Sequence, residues 1–80
     1  MNKPQKTRAE LEAMIVAEVR CRRHCEGFKS IVIYRLDDRS VPFNWSTGPC
    51  DYGEAGRDSC EAALREIISL LQAQCDLAHE

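Results

Sequence analysis

A chain of 80 residues with a formal net charge of −2 has room for one small domain and no global positive field to draw in nucleic acid. Its 44% hydrophobic content argues against disorder of the whole chain, yet no apolar run approaches the roughly 20 residues needed to cross a bilayer. The opening MNKPQKTRAE lacks the apolar stretch of a secretory leader, so a cytoplasmic setting is expected, with the five cysteines as thiols or ligands rather than bridges.

Residues 1–6 are polar, contain Pro4 and show no periodicity, so they read as a disordered tail ahead of a single domain over 7–80. Thr7 then opens a helix, because Glu10 stands three residues later at the capping-box spacing. Leu11, Met14, Ile15 and Val19 form its apolar stripe, with Val16 and Ala17 at the margin. Glu10 and Glu12 suit the positive end of the helix dipole, and Arg20, Arg22 and Arg23 the negative end; the helix is expected to stop before Gly27.

The segment FKSIVIYRL, Phe28 to Leu36, is apolar on both faces of a strand. Phe28, Val32, Tyr34 and Leu36 point one way, and Ile31 and Ile33 the other. With both helices on the Val32 face, Ile31 and Ile33 are left to meet a second copy of the chain, either by stacking of hairpins or by pairing of the free strand edge; helices straddling the sheet, one on each face, would instead cover them within a monomer. Asp37-Asp38-Arg39-Ser40 is turn-forming, and Val41 to Ser46 reads as a second strand with Val41, Phe43 and Trp45 on one face and Pro42 marking an edge. Thr47 to Arg57 holds three glycines and Pro49, the composition of a mobile loop able to carry a binding surface.

The last element has the clearest period. Cys60, Leu64, Ile67, Ile68, Leu71, Cys75 and Ala78 fall on one helical stripe, Asp58 or Ser59 can cap it, and Arg65, Glu66, Gln72 and Asp76 occupy the solvent side. The fold class is α+β, a single α-β-β-α domain in which an antiparallel hairpin packs against two helices.

Chemistry-bearing patterns are sparse. Cys21 and Cys25 would share a helix face with His24 nearby, and Cys50 could join them around zinc, but the spacing lacks the paired CxxC of ribbons and fingers and Arg22 and Arg23 repel a cation. A cysteine nucleophile would need His24 or His79 as base, and nothing in the sequence brings either to a thiol. Asp37-Asp38 fits turn chemistry better than acid–base work, and no glycine pattern forms a phosphate loop, so neither an enzyme nor a cofactor is expected. Arg20, Arg22, Arg23, Lys29, Arg35 and Arg39, with Tyr34 and Trp45, make nucleic-acid binding the rival to a protein-interaction role, against the acidic total. Trp45, the single tryptophan, reads first as core with its N–H on a backbone partner, and otherwise as an interface anchor.

Arg8, Glu10 and Leu11 in the first helix, Asn44-Trp45 in the second strand, and Leu71-Gln72 with Asp76-Leu77 at the end form a set of short motifs. On them the chain resembles a group of short, uncharacterised bacterial proteins with R-x-E-L, N-W and L-Q-x-x-x-D-L signatures. The resemblance implies an αββα domain without a known activity, and singles out Asn44 and Trp45 for a shared structural or binding role. The resulting expectation is a non-enzymatic protein-interaction module that forms a homodimer or engages another protein, with Ile31, Ile33, Asn44 and Trp45 as its interaction residues, no metal and no membrane contact.

Overall fold

The computed structural model describes residues 3–78. In chain order its elements are β1 (Gln5–Lys6), α1 (Arg8–Arg20), β2 (Ser30–Arg35), β3 (Trp45–Asp51), α2 (Arg57–Gln74) and β4 (Asp76–Leu77). The α-β-β-α order is present: β2 and β3 form an antiparallel hairpin and both helices lie against it. Leu11, Ile15 and Val19 of α1 and Cys60, Leu64, Ile67 and Leu71 of α2 join Ile31, Ile33 and Trp45 in one buried cluster, so the helices share a single face of the sheet.

Helix α1 begins where its sequence dictates. Thr7 Oγ1 accepts from the Glu10 amide at 3.1 Å while Glu10 Oε1 accepts from the Thr7 amide at 3.0 Å, which closes the capping box. These hydrogen bonds to Thr7 hold the Glu10 carboxyl below its ordinary range. Helix α2 starts two residues earlier than an Asp58 cap would give: Gly56 occupies the N-cap without a side-chain hydrogen bond, and Asp58 lies in the first turn instead of capping it. Gln72 and Asp76, expected on the solvent side, are half-buried against the rest of the fold.

Three departures from the expected layout share one cause, a partner distant in sequence. Gln5 and Lys6 do not fray but pair in parallel with Asp76 and Leu77, and Lys3 Nζ adds bonds to the carbonyls of Gln72 at 2.9 Å and Pro42 at 2.6 Å. Met1 and Asn2, the start of the expected tail, lie outside the described residues. The second strand runs over Trp45–Asp51 rather than Val41 to Ser46, so half of the supposed loop is sheet. Gly48 and Pro49 are accommodated because the register steps from Ile31 opposite Cys50 to Ile33 opposite Thr47, three residues against two, an irregularity of the bulge type. Proline is tolerated there because, among the described residues, β3 has no neighbouring strand on its far side.

The tight approach of the two connecting turns is secured by glycine. Gly53 has φ +59°, donates its amide to the Asp51 carboxylate at 2.9 Å, and would place a Cβ 2.3 Å from the Gly27 carbonyl oxygen. No side chain fits there.

Candidate interaction surface

Strand β2 is turned over relative to the sequence reading. Ile31 and Ile33 face the helices and are each 2% exposed, whereas Val32 at 52% and Tyr34 at 44% look outward. Alternation alone defines two faces without ranking them; the two isoleucines were the better candidates for burial, since isoleucine is more often fully buried than tyrosine. Val32 and Tyr34 are therefore the surface residues that sequence reasoning assigned to the core, and Ile31 and Ile33 are core residues, not contact residues.

This inversion also bears on the strand edge, one of the two places where a second copy was expected to pair. A figure of 2% counts the backbone of Ile31 and Ile33 as well as their side chains, so the strand edge at these residues is covered rather than open to another strand. On the other side of the hairpin, Gln72 Nε2 donates to the Trp45 carbonyl at 2.8 Å and Pro49 has no N–H to offer. What remains is the face. Tyr34 lies over Gly48, where an added Cβ would sit 3.7 Å from its ring, and Val32 flanks the same glycine at 3.8 Å. The absent side chain lets the tyrosine ring cover its cross-strand neighbour and produces a mixed patch of Val32, Tyr34, Ser46 and Gly48.

Asn44 and Trp45 do not join that patch. The Trp45 indole is fully buried and its Nε1 donates to the Cys75 carbonyl at 3.0 Å. Asn44 reads the backbone of Leu77 from both sides, its Nδ2 donating to the carbonyl at 3.0 Å and its Oδ1 accepting from the amide at 2.7 Å. The pair fastens the chain after α2 to the start of β3, which is a structural duty.

The basic side chains are dispersed and partly engaged. Arg20 Nε donates to the Phe28 carbonyl at 2.7 Å, Arg35 Nη2 to the Ala78 carbonyl at 2.7 Å, and Arg22 pairs with Glu66 at 3.2 Å. They act as braces between elements, so half of the six cations that suggested a phosphate-binding strip have protein partners. Cys21 is the C-cap of α1 and exposed, while Cys25 lies beyond the helix and is buried, so the two do not share a helix face. Among the described residues, no group of three or more His, Cys, Asp or Glu side chains is arranged to hold a metal ion. His24 sits in the left-handed region at φ 69°, and His79 lies outside the described residues.

Among the described residues, no helix is long and apolar enough to cross a membrane. No family model matches the chain, and no curated protein or solved structure matches it either.

Proposed function

We propose that this protein is a small non-enzymatic interaction module that works through the uncovered face of its hairpin and self-associates there. The observation that carries the reading is the contrast within β2: isoleucines at 2% exposure beneath the helices, and Val32 and Tyr34 at 52% and 44% on the other side. A half-covered antiparallel sheet usually presents polar side chains to water, so a valine and a tyrosine around a glycine favour contact with another surface.

Size sets the strength. A face of two strands, six or seven residues long, measures roughly 20 Å by 10 Å, or about 200 Å² in plan. Stable complexes bury about 800 Å² per partner, so stacking of two such faces gives a weak, concentration-dependent dimer. Sedimentation equilibrium from about 10 μM to about 1 mM tests this across the affinities that such an area supports. The apparent mass is expected to climb from the chain's 9.1 kDa toward twice that value, and the double variant Val32→Lys, Tyr34→Lys to remain at 9.1 kDa with an unchanged circular dichroism spectrum. A wild-type mass that stays at the monomer value throughout removes self-association from the proposal.

A further inference from the structure

Residues Lys3 to Lys6 lie across the molecule as a strap, and polar contacts hold them there. The Asp76 amide donates to the Pro4 carbonyl at 3.0 Å and the Ala78 amide to the Lys6 carbonyl at 2.8 Å, which brackets the parallel pairing of β1 with β4. The Lys3 ammonium sits in a cage of oxygens from three parts of the fold: the Gln72 carbonyl of α2 at 2.9 Å, the Pro42 carbonyl ahead of β3 at 2.6 Å and the Asp76 carboxylate of β4 at 3.4 Å. A lysine head has three N–H donors and no acceptor, so one donor is available for each oxygen. Within the strap, Pro4 and Gln5 are exposed and Lys3 and Lys6 half-buried, whereas Leu77, the partner of Lys6 in the pairing, is buried. The strap contributes backbone pairing and one charge, and little core.

Its link to α1 is no obstacle to release. Thr7 and Glu10 exchange their capping bonds and the Leu11 amide donates to the Thr7 carbonyl at 3.0 Å, all of it beyond Lys6, so α1 keeps its first turn when the strap is gone. Beside the cage, Lys3 shares with Pro42, Phe43, Ser69, Gln72 and Ala73 the wall of a cleft of about 370 Å³. We infer that the β4 edge and the oxygen cage form a receptor site for an extended, lysine-bearing segment of a partner protein, occupied in cis by residues 3–6. The incoming segment pairs its backbone with Asp76 and Ala78 and places its ammonium among the three oxygens. It displaces the strap where its neighbouring residues also fill the cleft against Phe43 and Ala73. Val32, Tyr34, Ser46 and Gly48 take no part, so this site is separate from the open hairpin face.

The test opens the site in the full-length chain with Lys3→Glu, which sets a carboxylate against Asp76 and two carbonyls and ejects the strap. Hydrogen exchange at the Asp76 and Ala78 amides is expected to speed up about tenfold or more, the scale of a lost charged hydrogen bond, while Leu11 and Ile15 in α1 stay as protected as in the wild type. The capped tetrapeptide acetyl-KPQK-amide is the probe. At millimolar concentration it is expected to restore slow exchange at Asp76 and Ala78 in the variant, and the same peptide with norleucine in place of its first lysine is expected not to. Wild-type exchange in Lys3→Glu would show that the cage does not hold the strap, and loss of protection at Leu11 and Ile15 would make the strap an integral part of the fold. Either result overturns the proposal, as does a variant that fails to respond to the lysine peptide or responds equally to the norleucine one.

Discussion

The two ends of the hairpin are fastened by different physics. At the end where β3 begins, directional hydrogen bonds dominate: Asn44 to both backbone groups of Leu77, the Trp45 indole to Cys75, Gln72 to Trp45, Arg35 to Ala78, and Lys3 to Gln72 and Pro42. At the opposite end, close packing takes over: Cys25, Phe28, Cys50, Cys60 and Tyr52 meet where two turns touch through Gly27 and Gly53, with Phe28 and Tyr52 edge to face at 6.0 Å. The first end is specified by polar geometry and tolerates little change of chemistry. The second is specified by volume and backbone conformation, so it should accept small chemical swaps and reject added bulk.

The largest effect is expected from Trp45→Ala, which empties the largest fully buried side chain and leaves the Cys75 carbonyl without its donor. Urea unfolding should show a loss of about 3–5 kcal/mol. Trp45→Phe, which keeps most of the volume, separates the two contributions and should cost about 1–2 kcal/mol. A loss as large as that of the alanine variant would mean that the hydrogen bond, not the ring, governs this end.

At the packed end, Gly53→Ala introduces a Cβ at 2.3 Å from the Gly27 oxygen and forces alanine to φ +59°. About 2–3 kcal/mol should be lost, read as a lowered melting temperature. Survival of the wild-type melting point would show that the two turns separate easily and that packing does not hold this end.

Asn44→Ala comes next, at about 1–3 kcal/mol, because the amide and carbonyl of Leu77 are left without their side-chain partner. Asn44→Asp keeps the acceptor for the Leu77 amide and sets a carboxylate against the Leu77 carbonyl, so it should not rescue the loss. Hydrogen exchange at the Leu77 amide reports the break directly.

The last expected effect is a pH slope. The folded chain holds the Cys60 thiol protonated up to about 11 against an ordinary value of 9.0, so the unfolded chain loses this proton first as pH rises. The contribution to stability is complete below pH 9 and disappears as pH approaches 11. Cys60→Ala should therefore flatten the alkaline decline in stability, measured by denaturant titration at several pH values. Tyr52, pushed up to about 12 by its hydrogen bond with Cys50 and by burial, keeps a decline of its own at higher pH.

How much of this could be read beforehand follows the same division. Periodicity located both helices and β2, and the Thr7–Glu10 spacing marked the start of α1 to the residue, because those signals depend on neighbours three and four positions away. The face of β2, the true span of β3 and the pairing of Gln5–Lys6 depend on partners far along the chain, and local pattern is silent about them. Gly48-Pro49 read as a loop because the irregular step that accommodates it is a property of two strands together. The side of Val32 and Tyr34 as the open face could have been reached by weighing residue types: two isoleucines against a valine and a tyrosine. The convergence of Cys25, Cys50 and Cys60 left no trace in spacing, since each comes from a different element.

The parallel pairing of Gln5–Lys6 with Asp76–Leu77 bears on how the chain is made. Synthesis proceeds from the N-terminus, so β1, α1 and the hairpin leave the ribosome while the residues that complete them are still unmade. The Trp45 indole has no acceptor until Cys75 has been added, and Gln5 and Lys6 have no strand to join until Asp76 and Leu77 follow. The nascent chain therefore waits, its largest aromatic side chain unsealed, until Cys75, Asp76 and Leu77 emerge to satisfy the indole and pair with Gln5 and Lys6 in one step.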